Sequence, residues 1–187
     1  MSRISLAKNY DYNCELIIIG DSTVGKSSIL SIYNNNTNPL KQISTIGIDY
    51  IIKDEKINDK LVKVKIWDTS GQERFKSLAD NVLKTSHGVI LVFDLNNKET
   101  YDNLKTWIQF ITIKISENIP LLLIGNKSDL EANILYGESI KFADKFNMKY
   151  FETSVKNNTN ILESINWLVT QTIEKGIIKL IDKNINK

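Results

Sequence analysis

Gly20-Asp21-Ser22-Thr23-Val24-Gly25-Lys26-Ser27 follows an apolar run, Leu16-Ile17-Ile18-Ile19, and precedes a helix-compatible stretch from Ser28 to Tyr33. That order is a strand, a glycine-bounded loop and a helix start. The spacing fits G-x-x-x-x-G-K-[ST], a loop that cradles phosphate groups. Glycines let the backbone approach an anion closely and turn its N–H groups toward it. The helix N-terminus adds uncapped N–H groups and the positive end of a dipole. The candidate phosphate ligands are therefore Ser22, Thr23, Val24, Gly25, Lys26, Ser27 and Ser28. The Lys26 ammonium reaches the β- and γ-phosphates in such a loop, and the Ser27 hydroxyl is a ligand for Mg²⁺.

The rest of the chain is consistent with one domain around this loop. Its 187 residues, 42% of them hydrophobic, suffice for a real core. A net charge of +2 argues neither for nucleic acid nor for an acidic partner. The single cysteine, Cys14, excludes an intramolecular disulfide framework and a cysteine-based zinc site, and a reducing, cytoplasmic setting is expected. No apolar run approaches the length of a membrane span, and no signal peptide or N-myristoylation pattern is visible. Every cation except Arg3 and Arg74 is a lysine, which reads as compositional bias.

Apolar segments alternate with helical patterns, which predicts a three-layer α/β fold. Strands are expected at Glu15–Ile19, Asp49–Ile57, Leu61–Trp67, Gly88–Phe93, Leu121–Gly125 and Lys149–Glu152. The second and third are joined by Asn58-Asp59-Lys60, a hairpin turn, so one edge strand of a mostly parallel six-stranded sheet is antiparallel. Helices are expected at Lys26–Asn34, Phe75–Thr85, Lys98–Ile115, Tyr136–Phe146 and Thr159–Lys175. The stretch Ile177–Lys187 is expected to fray. His87 and Cys14 read as structural, and Trp107 and Trp167 as core residues of helices.

Ligands in such sheets bind at the carboxyl ends of strands, and the polar signals fall there. Trp67-Asp68-Thr69-Ser70-Gly71-Gln72 closes the third strand. Asp68 can hold Mg²⁺ through water, Gly71 can offer its N–H to a γ-phosphate, and Gln72 can orient an attacking water. Asn126-Lys127-Ser128-Asp129 follows the fifth strand. The Asp129 carboxylate can accept hydrogen bonds from the N1–H and 2-amino edge of guanine, donors that adenine lacks as a pair. Glu152-Thr153-Ser154-Val155-Lys156 closes the sixth strand, and the backbone N–H groups of Ser154, Val155 and Lys156 can meet the guanine oxygen.

Over residues 10–175 the chain resembles the Rab branch of the Ras-like small GTPases. Asp68-Thr69-Ser70-Gly71-Gln72-Glu73-Arg74-Phe75 is similar to that family's switch II, and Ser44-Thr45-Ile46-Gly47-Ile48-Asp49-Tyr50 to its switch I. Gly125-Asn126-Lys127-Ser128-Asp129 and Glu152–Lys156 are similar to its guanine-reading motifs. The resemblance implies a P-loop G-domain at 10–176 with short flexible termini at 1–9 and 177–187. It implies GTP/GDP and Mg²⁺ as ligands, with Ser27, Thr45 and Asp68 as metal ligands and Thr45 as sensor of the γ-phosphate. Gln72, Lys26 and Thr45 are the implied catalytic residues. Both switches would order with GTP and relax with GDP. Effectors would meet Tyr50, Trp67 and Val82, where the third position usually holds an aromatic. An exchange factor and an activating protein are the further implied partners, with the chain a monomer that binds no nucleic acid. The implied role is a slow GTPase that recruits effectors in vesicle traffic.

Several positions depart from the family pattern. Asn38 and Gln42 stand where aromatics are usual, Ser70 replaces the switch II alanine, and Val155 replaces an alanine beside the base. Loss of a base-stacking aromatic is worth roughly 1–3 kcal/mol, so faster nucleotide exchange is expected. The chain ends Asp182-Lys183-Asn184-Ile185-Asn186-Lys187, without the C-terminal cysteines on which relatives are prenylated. Membrane association, on endomembranes, is expected only if a prenylated tail is missing from this sequence. An alternative is a Rab-like scaffold with fast exchange and little hydrolysis. A P-loop kinase acting on ATP is disfavoured by Asp129.

Overall fold

The computed structural model describes residues 9–35, 48–69, 76–115 and 119–181. Six strands form one sheet: β1 (Tyr12–Ile19), β2 (Ile48–Ile57), β3 (Lys60–Thr69), β4 (Gly88–Asp94), β5 (Leu121–Asn126) and β6 (Lys149–Thr153). The helices are α1 (Lys26–Tyr33), α2 (Lys76–Thr85), α3 (Lys98–Asp102), α4 (Leu104–Lys114), α5 (Tyr136–Lys145) and α6 (Ile161–Glu174). The strand order is β2-β3-β1-β4-β5-β6, parallel throughout except for the β2–β3 pair. Asn58 and Asp59 both take positive φ, 47° and 62°, between paired Ile57 and Lys60. That is the handedness a two-residue hairpin turn requires.

The period-2 geometry of β1 divides the core. Leu16 and Ile18 point to one face, where α1 and α6 supply Ile29, Leu30, Ile161, Ile165 and Leu168. Ile17 and Ile19 point to the other, against Leu83 of α2, Trp107 and Ile108 of α4 and Ala143 of α5. Every residue of β4 is buried, as expected for a central strand covered on both faces. β1 pairs with β3 on one side and β4 on the other, so the order reverses at β1. The crevice beyond its carboxyl end is where an open α/β sheet binds ligands.

Three expectations need correction. The helix expected at Lys98–Ile115 is interrupted at Asn103, where the backbone stays right-handed but Thr106 N–H donates to the Asn103 carbonyl, three residues back. The last helix begins at Ile161 because Thr159 exchanges both backbone hydrogen bonds with Ser154, and Asn160 then turns left-handed at φ 56°. Residues 177–181, expected to fray, fold back instead. Ile178 is buried in the α1/α6 core, Ile177 and Ile178 donate to the Thr172 carbonyl, and Ile181 N–H donates to the Asp11 carbonyl.

Candidate functional site

The loop from Gly20 to Gly25 can exist only with unusual backbone. Gly20 has φ 141°, and a Cβ there would stand 2.1 Å from the Val92 carbonyl oxygen of the neighbouring strand. Gly25 has φ 101°, and its Cβ would stand 2.4 Å from Asn126 Nδ2. Thr23 also takes a positive φ, 65°, in a region that a β-branched residue rarely enters. At the end of the loop the Lys26 ammonium lies folded over it, donating to the Gly20 carbonyl at 2.9 Å and the Asp21 carbonyl at 2.6 Å. Only 5% of Lys26 is exposed. Burial pulls its pKa down to about 8, against the opposing pull of the Asp68 and Asp21 carboxylates. A polyphosphate on the loop would supply the negative charge that this buried ammonium lacks.

Ser27, on the first turn of α1, donates from Oγ to Asp68 Oδ2 at the end of β3. The strand itself is pinned there, since Thr69 Oγ1 donates to the Ile18 carbonyl at 2.8 Å. A hydroxyl and a buried carboxylate, converging beside a phosphate loop, form a hard oxygen donor set of the type Mg²⁺ takes. The residues present therefore fit that ion. Thr45, Gly71 and Gln72 lie outside the described residues, as do Asn38, Gln42 and Ser70.

Two further loops, after β5 and after β6, close on the phosphate loop. Asn126 is the hub: Nδ2 donates to the Val24 carbonyl at 2.8 Å, and Oδ1 accepts from Thr153 Oγ1 at 3.0 Å. Ser128 N–H donates to the Thr153 carbonyl at 3.0 Å. Ser154 Oγ donates to Asp129 Oδ1 at 2.5 Å and accepts from Asn157 N–H. One carboxylate oxygen is thus held, which fixes the direction in which the group faces. A cleft runs between these parts, lined by Thr23, Gly25, Ser28, Asn126, Lys127, Asp129, Leu130, Val155 and Lys156. Leu130 and Val155 give it apolar walls, suited to the faces of a flat ring. The motif residues on β1, β5 and β6, far apart in sequence, are brought to one crevice.

Two residues at this crevice, Asp94 and Leu130, escape a reading of motifs. Lys127 pairs with Asp94, at the end of β4, at 2.6 Å. Asp94 Oδ1 also accepts from Asn96 N–H, so this carboxylate steers the Lys127 ammonium while its stem lines the cleft. Leu130 was equally unmarked, although it directly follows Asp129. His87 and Cys14 are structural residues, as expected. The His87 ring accepts from Glu15 N–H at Nδ1, 2.9 Å, while the backbone N–H of His87 donates to the Glu15 carbonyl at 2.7 Å. Burial lowers its pKa, opposed by the Glu15 charge. Cys14 is wholly buried against Thr172, and burial pushes its thiol up to about 12.

A second surface lies on the face of β2 and β3. Tyr50 is 48% exposed and meets Trp67 edge-on, with ring centroids 5.2 Å apart. The Lys65 ammonium lies 3.6 Å from the Trp67 ring centroid and 4.5 Å from that of Tyr50. Trp67 Nε1 donates to Glu15 Oε2 at 3.1 Å. Val82, on α2, is half-buried and packs against the core cluster of Ile17 and Leu83.

Comparison with known proteins bears on the same segments. A family model described as Ras family matches residues 15–174, which span β1 through α6 and every loop that meets at the crevice. With the mostly parallel six-stranded sheet, the phosphate loop at its switch point and the match over most of the length, the chain belongs to the Ras family, small GTPases that bind GTP and GDP with Mg²⁺ and act as molecular switches.

Proposed function

We propose that this protein is a Rab-like GTPase that recruits effectors in membrane traffic. The observation that carries the guanine-nucleotide part is the set of bonds joining three loops. Asn126 ties the phosphate loop to β5 and β6, and Ser154 aims the Asp129 carboxylate. In this reading the loop from Ser22 to Ser28 takes the phosphates, and Lys26 exchanges its carbonyl partners for phosphate oxygens. Asp129 reads the guanine edge, Lys127 lines the base, and Ser154, Val155 and Lys156 offer backbone N–H groups to the guanine oxygen. Ser27, Asp68 and Thr45 would hold Mg²⁺, which when bound neutralises charge on the phosphates. Gln72, with Gly71 beside the γ-phosphate, orients the attacking water.

Hydrolysis by the chain alone is slow in this reading. Arg3 and Arg74 are the sequence's two arginines, and neither stands where an internal arginine finger would. An arginine supplied by an activating protein adds about 10³–10⁵-fold. An exchange factor resets the cycle. Effectors meet the exposed Tyr50–Trp67 pair together with Val82 and the two switches, and Val82 in place of an aromatic gives the protein its own effector set. The protein works in the cytoplasm and reaches endomembranes through a prenylated tail if the native chain carries one.

The test is the nucleotide retained through purification, followed by release of a fluorescent GDP analogue and single-turnover hydrolysis of GTP. Bound GDP, slow release and slow but measurable turnover are expected. A preference for adenine nucleotides would overturn the assignment of Asp129. A second reading, an exchange-driven scaffold with little hydrolysis, rests on Asn38, Gln42, Ser70 and Val155, which stand where the family carries aromatics and alanines. Fast release without turnover would select it.

A further inference from the structure

The second residue of the phosphate loop, Asp21, carries a negative charge. A carboxylate beside a polyphosphate is repelled, so the Asp21 side chain has to face away from a bound anion. Its side chain is turned away from the crevice, toward the neighbouring helix layer. Asp21 Oδ2 accepts from Asn103 Nδ2 at 2.8 Å, and Oδ1 accepts from Trp107 Nε1 at 2.7 Å. Both carboxylate oxygens are thus held by neutral N–H donors from the interrupted helix, 82 and 86 residues away in sequence. Trp107 is itself fixed, 5% exposed and packed in the core. The main-chain carbonyl of the same residue accepts from Lys26.

We infer that Asp21, Asn103 and Trp107 form a clamp that holds the phosphate loop in its binding shape and so sets how long nucleotide is retained. The loop needs such a clamp. Thr23 has a positive φ, which a non-glycine residue keeps only where its surroundings over-determine it, and Gly20 and Gly25 on either side are free to take other backbone shapes. Asn126 holds the loop's second half at Val24, and Asp21 holds its first half. The clamp also explains the break at Asn103: its side chain is engaged with the loop where α3 ends and α4 begins. α4 is also joined to α2 by the Lys114–Asp80 ion pair at 3.0 Å. Asp21 is a positioning residue here, acting through the loop and through Lys26 rather than on the nucleotide.

The inference rests on the guanine-nucleotide reading of the site, and the experiment separates the two. GDP binding to the wild-type chain is first measured by calorimetry. Release of a fluorescent GDP analogue is then compared for Asp21→Ala, Asn103→Ala, Trp107→Phe and the Asp21→Ala/Trp107→Phe double variant. Trp107→Phe removes the N–H and leaves an aromatic in the core; Asn103→Ala tests the clamp without touching the core. Asn103→Ala and Trp107→Phe should each release about tenfold faster, the factor that one charge-assisted hydrogen bond of ordinary strength supplies, and Asp21→Ala, which removes both bonds, about a hundredfold faster. The double variant should be no faster than Asp21→Ala, because its second change removes a donor whose acceptor is already gone. Asp102→Asn, which breaks only the exposed Lys98–Asp102 pair nearby, should leave release unchanged. Hydrogen exchange gives a readout apart from nucleotide: the amides of Ser22 to Val24 and the Trp107 indole N–H should exchange faster in Asp21→Ala, with α4 amides unaffected. Wild-type-like release and exchange in the single variants, or rate effects that simply multiply in the double variant, overturn the clamp alone. Absence of GDP binding to the wild-type chain overturns the nucleotide reading and the clamp with it.

Discussion

Replacing Gly25 by alanine tests how the phosphate loop and the base-reading loop depend on each other. Two costs are written into the geometry. At φ 101° an L-residue carries the penalty of left-handed backbone, about 1–2 kcal/mol. The added Cβ would stand 2.4 Å from Asn126 Nδ2, so that amide must leave its 2.8 Å bond to the Val24 carbonyl. Asn126 is 1% exposed, and a buried donor and acceptor left unmatched cost about 1–3 kcal/mol. Against this, alanine narrows the unfolded ensemble and returns about 0.4–1 kcal/mol. The net expectation is a loss of about 2–4 kcal/mol, a large share of the stability of an ordinary domain. Urea unfolding in nucleotide-free buffer measures it. The same substitution in an Asn126→Ala background should cost only the backbone penalty less that unfolded-state return, about 1 kcal/mol, because the collision is gone. A loss under about 0.5 kcal/mol, or an equal loss in both backgrounds, would refute the claim that Gly25 is required by its contact with Asn126.

Other outcomes follow from the same site. The folded pKa of Lys26, about 8, lies below its unfolded value of 10.5, so the cost of burying the ammonium is fully present below pH 8 and is relieved as pH rises toward 10.5. Nucleotide-free protein should gain stability over that window relative to Lys26→Ala, by on the order of 3 kcal/mol, and parallel pH curves for the two proteins would contradict it. Lys26→Ala should also lose tight GDP binding, which calorimetry would register. Ser154→Ala should weaken GDP binding about tenfold by freeing the Asp129 carboxylate, and an unchanged dissociation constant would mean that Ser154 orients nothing. Gln72→Leu should slow single-turnover hydrolysis while leaving GDP affinity intact; unchanged turnover would remove Gln72 from the role of positioning water.

Much of the fold is legible in order along the chain. The apolar runs at Leu16–Ile19 and Gly88–Phe93 announce buried strands, and Asn58-Asp59 announces the hairpin, because local sterics and short-range periodicity are enough to specify them. The phosphate loop is legible for the same reason, since its chemistry is contained in eight consecutive residues. Less was legible where a local pattern competes with a distant partner. Periodicity runs straight through Asn103, yet the helix breaks there beside a side chain engaged with Asp21. The stretch after Gly176 has little pattern of its own, and Ile178 is ordered by a core assembled from α1, α6 and five strands.

By itself the sequence determined which residue types stand at the strand ends, and so that a phosphate loop, a strand-end Asp68 and a base-reading Asp129 exist. Only the tertiary structure decided that they converge, and with what orientation. Asn126 meets Val24 across 102 residues, Ser154 turns Asp129, Asp94 draws Lys127, and Asp21 is held from α4. The physical reason is that a hydrogen bond is set by distance and angle in space, on which separation along the chain places no constraint. Strand order places those atoms within reach, and no local preference encodes the angle at which they meet.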